Sequence, residues 1–279
     1  MARKSVMRKP FLWIVLLVVA ALALAGCDNR FTADEQFSQT LDAPASARIV
    51  VETFNGNVSV MAGAGGKVEA NVIKRGSGDS QAAAEADLKN IDVTMKTEGD
   101  TIRIVARRTD SRPANNSGVS FVLTAPASAA LDLRTSNGNV TARGVTGDVT
   151  ATSSNGRVQV DGGKGRIDLS TSNGEIEIDA TAARVTARTS NGAIRFSGSL
   201  ADGNHTVDTS NGSITLKLPS DARFRVSAST SNGDVTSDFA VTTSGSLRKG
   251  ALDGTVGENP AVSLQLGSSN GNIDIRKGQ

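Results

Sequence analysis

Residues 167–178 read Ile-Asp-Leu-Ser-Thr-Ser-Asn-Gly-Glu-Ile-Glu-Ile. Apolar and polar residues alternate on both sides of Asn173-Gly174, with Ile167 and Leu169 before it and Ile176 and Ile178 after it. A period of two is the pattern of a strand with one buried face. Asn-Gly between two such segments usually closes an antiparallel hairpin. The surrounding sequence argues otherwise, because the same frame keeps returning.

Asn-Gly occurs eight times, at Asn55, Asn137, Asn155, Asn173, Asn191, Asn211, Asn232 and Asn270. From Asn137 the steps are 18, 18, 18, 20, 21 and 38 residues, the last read as two coils of 19. Five sites read Thr-Ser-Asn-Gly in full, and Asn55 carries Ile49, Val51, Val58 and Val60 in the same frame. A fixed period of this kind marks a repeat architecture. Two short strands and two corners make one coil, and equivalent coils stack in parallel about 4.8 Å apart. The expected fold is all-β: a single-chain parallel β-helix or β-roll solenoid with about 18–21 residues per coil. Aliphatic stacks would fill it, which suits a chain that is 38% hydrophobic and only 3% aromatic. Glycine is expected to supply a φ > 0 corner. The amides of Asn137, Asn155, Asn173, Asn191, Asn211 and Asn232 are expected to stack as a corner ladder. Thr135, Thr171, Thr189, Thr209 and Thr230 should line the same wall.

One stretch breaks the pattern. Ser80 to Asn90 is alanine-rich with helical spacing, and predicts one short inserted helix near residues 80–90 that covers the first coils. Asp110–Gly118 and Asp253–Pro260 read as irregular segments.

The beginning of the chain reads as an address. Arg3, Lys4, Arg8 and Lys9 precede an apolar run from Phe11 to Ala25, the layout of a bacterial export signal. The run is shorter than the roughly 20 residues a membrane-spanning helix needs. Leu24-Ala25-Gly26-Cys27 resembles a lipobox. That resemblance implies a signal peptide over 1–26, cleavage before Cys27 and acylation of this only cysteine. Two or more acyl chains hold a protein on a membrane where one does not. Asp28 resembles the inner-membrane retention signal of enteric bacteria, favouring the periplasmic face of that membrane, with the outer membrane as the alternative. Residues 27–40 read as a lipidated flexible tether and 41–279 as the solenoid domain.

Charge and composition exclude several functions. The whole chain has a formal net charge of +2. Residues 1–26 carry four of its basic residues and none of its acidic ones, so the rest is net −2. The basic balance belongs to the signal, and a nucleic-acid partner is not expected. One cysteine and one histidine cannot make a disulfide framework, a Cys/His zinc site or a Cys–His dyad. No cofactor and no metal are expected. Gly162-Gly163-Lys164-Gly165 lacks the Gly-Lys-Ser/Thr ending of a phosphate loop and reads as a corner.

The Thr-Ser-Asn-Gly-x-Ile-x-Ile repeats, the early helical insertion and the closing Ser-Ser-Asn-Gly-Asn-Ile-Asp-Ile resemble the bacterial putative-adhesin family of β-strand repeat domains, from about residue 40 to the end. The resemblance implies the architecture and a role in binding. It implies no catalytic residue.

Two surface features stand out. Glu175 and Glu177 have Arg157 and Arg195 as neighbours one coil away, which reads as cross-strand pairing rather than an acid/base pair. Arg166, Arg184 and Arg188 are expected to project outward from neighbouring strands as a basic strip, with Asp168 as the simplest compensating charge. His205 falls in an inward column, six residues before Asn211, and the longer coil there is expected to bulge and let the ring reach solvent. The leading reading is a non-catalytic, membrane-anchored envelope lipoprotein whose solenoid offers a surface for adhesion, binding or assembly, to an envelope polysaccharide or an envelope protein. The alternatives are a polysaccharide-active β-helix enzyme and a protein that senses or regulates envelope stress. Oligomeric state leaves no trace in the pattern.

Overall fold

The computed structural model describes residues 15–16, 30–44, 46–114, 116–243 and 249–278. Cys27, Asp28 and most of the signal segment lie outside the described residues. Two walls of strands face each other across an aliphatic interior. The residues before each Asn-Gly build the first wall, and those after it build the second. Parallel pairing joins equivalent residues of successive coils: Val149 lies between Leu131 and Ile167, and Val158 between Val140 and Ile176. The 18-residue period thus becomes a constant register in space. The column Phe121, Val58, Val140, Val158, Ile176, Ile194, Ile214 and Ile273 is buried along its whole length. An interior of aligned β-branched and aliphatic side chains needs few rings to fill it.

The corners are held by side chains. Through Asn137, Asn155, Asn173, Asn191, Asn211, Asn270 and Asn232, each asparagine amide after the first donates to the Oδ1 of the one before it, at 2.8–2.9 Å. Two residues earlier, Thr135, Ser153, Thr171, Thr189, Thr209, Ser268 and Thr230 are nearly buried. Each hydroxyl donates to a corner-glycine carbonyl of the adjacent coil at 2.8–3.1 Å. These bonds satisfy oxygens that the turn would otherwise leave unpaired.

The expected φ > 0 occurs at three corners, Gly56, Gly138 and Gly271, with φ of +127°, +154° and +149°, and the others need glycine for a second reason. Gly156, Gly174, Gly192 and Gly212 do not adopt the left-handed conformation. A Cβ on any of them would sit 1.9–2.0 Å from the carbonyl oxygen of the glycine one coil away. At these four positions close backbone approach, not a left-handed turn, excludes every other residue.

Coil order departs from chain order at both ends. The 38-residue step is not two consecutive coils. Val262–Asn270 inserts between Gly203–Asn211 and Phe224–Asn232, and Ile273–Lys277 between Ile214–Leu218 and Val235–Ser237. The other end mirrors this. Arg48–Thr53 sits between Thr101–Arg108 and Ala130–Asn137, and Val58–Gly63 between Gly118–Pro126 and Val140–Arg143. The first and last coils of the chain are therefore each locked second from an end of the stack.

Antiparallel strands then cover the outermost coils. Ile91–Glu98 pairs with Thr101–Arg108, Lys67–Gly78 with Gly118–Pro126, and Ala251–Val256 with Phe224–Asn232. The last of these corrects the irregular reading of 253–260, since Asp253 to Val256 are in a strand. Phe239, edge-on to Phe224 with ring centroids 5.2 Å apart, closes that end of the core. Covering the ends hides apolar stacks and unpaired backbone from water.

The expected tether is also corrected. Phe31–Asp42 is a 12-residue strand, paired antiparallel along its full length with Lys67–Gly78. Val15–Leu16 in turn pairs with Phe37 and Ser38. The inserted helix spans Gln81–Leu88, with the Ser80 hydroxyl accepting the Ala83 N–H at its N-terminus. It packs on Phe31–Asp42 and Lys67–Gly78. Gly76 makes this possible, because a Cβ there would meet the Ala84 carbonyl at 2.3 Å.

Candidate functional site

The walls carry the outward side chains in rows, so surface chemistry follows directly from register. On the second wall, Arg157, Glu175, Glu177 and Arg195 lie at or just before the starts of three adjacent strands. Glu175 lies 3.0 Å from Arg157 and 3.2 Å from Arg195, while Glu177 lies 3.5 and 3.7 Å from the same two guanidiniums. Both carboxylates are engaged by both arginines. This is an alternating-charge lattice that stabilises the wall.

The basic strip on the first wall is built differently. Arg166 and Arg184 are register partners on adjacent strands, which holds two exposed guanidinium-bearing side chains side by side. Arg166 reaches Asp168 only at 3.9 Å, and Arg184 donates to the Asp202 carbonyl at 3.1 Å. Asp148, beside Arg166 and just before the other adjacent strand, turns one carboxylate oxygen to the Arg166 backbone N–H at 2.9 Å. Arg188 is not a lateral neighbour of either. It stands four residues along the strand from Arg184, opposite Ser170 and Asp208, and lies 3.7 Å from the Asp208 carboxylate. The strip is thus a facing pair with a third arginine offset along the wall.

His205 does not reach solvent. It is 1% exposed, in the column between Val185 and Leu264. Nδ1 accepts the Val185 N–H at 3.1 Å, and Nε2 lies 2.8 Å from the Ala201 carbonyl, which requires the neutral Nε2–H tautomer. Burial lowers its pKa, the Ala201 contact opposes that, and the nearby Arg184 charge lowers it further. The two extra residues of this coil displace a backbone rung, and the imidazole replaces it.

Two further clusters have no counterpart among the residues expected from the sequence. At the helix-covered end, Arg108 donates to Asp87 on the helix at 2.7 Å and to Asp110 at 2.8 Å, and Ser117 also donates to Asp87. Burial opposes ionisation of Asp87, but the bonds from Arg108, Ser117 and the Ser77 N–H outweigh it and bring its pKa down to about 2. This pairing ties the helix to the outermost coil. Elsewhere on the first wall, the buried Asp132 carboxylate is gripped by Arg48 and Arg134, each at 2.9 Å. With Glu52 and Arg103 they line a groove of about 360 Å³. Aligning Asn55 with Asn137 would have exposed the second cluster, because it brings Arg48 and Asp132 onto adjacent strands. The first depends on the helix and left no periodic signal. Among the described residues, no group of three or more His, Cys, Asp or Glu could hold a metal ion. No helix among them is long and apolar enough to cross a membrane.

Residues 47–276 match the Toastrack DUF4097 family. No curated protein matches the chain. Solved structures similar to it include the following two. One is a putative cell adhesion protein from Clostridium sporogenes ATCC 15579, at 9% identity and TM-score 0.41, over 88% of this chain and 100% of that one. The other is a putative adhesin from Bacteroides fragilis NCTC 9343, at 13% identity and TM-score 0.42, over 86% of this chain and 97% of that one.

Proposed function

The chain belongs to the Toastrack DUF4097 family, and from that footing we propose a non-catalytic envelope lipoprotein, anchored through Cys27, whose first wall binds an anionic envelope glycan. The observation that carries the binding role is the Arg166–Arg184 pair. Like charges on adjacent strands are unfavourable, yet the fold places these two in register, with one carboxylate oxygen of Asp148 turned to a backbone N–H. The neighbouring Glu175/Glu177 lattice shows how the same fold neutralises charge when carboxylates are supplied. Paired guanidiniums suit carboxylate or phosphate groups, which they hold through parallel hydrogen bonds. A flat, rigid wall with repeats about 4.8 Å apart presents such groups to an extended polymer.

The anchor rests on the charged segment, the apolar run and Cys27 in one place. Labelled palmitate should enter the wild type and not Cys27→Ser, and equal labelling of both would remove the anchor. For the glycan, residues 28–279 should bind immobilised anionic envelope glycans at low salt and release them at high salt. The Arg166→Ala/Arg184→Ala variant should bind weakly with an unchanged melting temperature. Salt-insensitive binding, or full binding by the variant, would sink the site.

A further inference from the structure

The strand that replaces the expected tether fixes where the domain can stand. Four residue steps separate Cys27 from Phe31, the first residue of the fully paired strand. Even extended, they span only about 14 Å. A domain anchored at Cys27 has no room to stand away from its membrane.

The surface at that point suits a bilayer. Phe31 is 45% exposed, and only Met61 and Val122 join it as exposed large hydrophobics among the described residues. Arg30 beside it is exposed and can reach headgroup phosphates. Phe31 pairs with Gly78, against which Ala83 of the helix packs, and the outward helix residues Ala82, Ala83 and Ala86 are small and exposed. The helix exposes one charge, Glu85, whose carboxylate accepts the Gln81 amide at 3.1 Å.

We propose that the helix-covered end of the solenoid docks on the phospholipid bilayer that carries the anchor, with Phe31 at the boundary between headgroups and acyl chains. This rests on the lipid-anchor reading above. The nine coils from Thr101–Pro126 to Phe224–Ser237 then extend from the membrane, and their far end lies about 40 Å away. Thr242, exposed on the strand that covers that far end, marks the distal position.

The only tryptophan of the chain, Trp13, lies in the signal segment, so residues 27–279 accept a unique probe. Phe31→Trp and Thr242→Trp versions of residues 27–279 would each be coupled at Cys27 to a thiol-reactive diacyl lipid in phosphatidylethanolamine/phosphatidylglycerol vesicles. Chemical coupling bypasses cellular acylation, so failure of the natural lipidation, read by palmitate labelling, stays distinct from failure of the docking. Vesicles whose acyl chains are brominated should cut the indole emission of the Phe31→Trp protein roughly twofold, as expected for a ring 5–10 Å into the interface. Emission from the Thr242→Trp protein should be unaffected. An unquenched indole in the coupled Phe31→Trp protein would overturn the docking, and equal quenching at both positions would replace the end-on orientation with a flat one.

Discussion

The backbone N–H of Val185 donates to Nδ1 of His205 at 3.1 Å, so an imidazole fills a rung that a carbonyl fills elsewhere in the first wall. Such an acceptor exists only while the ring is neutral. Burial, the largest influence, and the Arg184 charge hold the pKa below its ordinary value despite the Ala201 carbonyl. A depressed histidine makes the unfolded chain the better proton acceptor. Stability should therefore be full above about pH 6.5 and fall as pH drops below it. His205→Leu, which fits the aliphatic column but orphans the Val185 N–H, should lose about 1–3 kcal/mol at pH 7.5. It should also flatten the dependence of melting temperature between pH 5 and pH 7.5. Parallel pH profiles for the two proteins would mean that His205 does not titrate with unfolding.

At the corners, Gly174→Ala tests close approach against backbone conformation. Its new Cβ would lie 2.0 Å from the Gly156 carbonyl oxygen. Gly99 has φ of +60°, but a Cβ there would meet nothing within 4 Å. Gly99→Ala should cost about 1–2 kcal/mol, the penalty of a left-handed residue. Gly174→Ala should cost about 3 kcal/mol, at the severe end of overpacking. Chemical denaturation of both variants gives the order, and a milder Gly174→Ala would show that coils can separate locally.

The Asp87–Arg108 pair makes the inserted helix part of the fold rather than an ornament. Asp87→Asn should lose about 3 kcal/mol by leaving Arg108 partly uncompensated in a buried position. The wild type should show a matching acid sensitivity. Because the folded pKa is depressed to about 2, the contribution is complete above the ordinary carboxylate range near 4 and disappears as pH falls toward 2. Melting curves from pH 5 to pH 2 should steepen for the wild type relative to Asp87→Asn.

The walls were legible in the sequence because Ile176 and Ile178, and their equivalents in each coil, meet the same interior at the same register. Coil order was not legible. Ser268-Ser269-Asn270 offers the same hydroxyl and amide as any other corner, so nothing local distinguishes a coil that ends the stack from one that enters it. Phe31–Asp42 left little signal because an outer strand turns in only the small Ala33 and the half-buried Phe37 and Leu41, which leaves polar residues to dominate the pattern. The inward column does place His205, but two extra residues point equally to a route to solvent and to a gap that a side chain fills. Of the basic strip, the facing of Arg166 and Arg184 follows from the 18-residue step, whereas Arg188 sits on the same strand as Arg184 and cannot be its lateral neighbour.

Deleting residues 261–279 should reveal the inserted last coil. If the coil merely ended the stack, its loss would expose one neighbour and leave the others intact. In this fold it separates Gly203–Asn211 from Phe224–Asn232, and it carries the Asn270 amide that links Asn211 to Asn232. Its removal leaves Phe224–Asn232 with the antiparallel Ala251–Val256 alone, and takes from Val235–Ser237 its partner Ile273–Lys277. A solenoid is stabilised by neighbour contacts and loses structure locally. Amide exchange should therefore become fast across 224–237 and faster across 203–218, while 149–178 keeps its protection. Retained protection over 224–237 would mean that the outer coil stands without the inserted one, and the order of the stack would have to be drawn again.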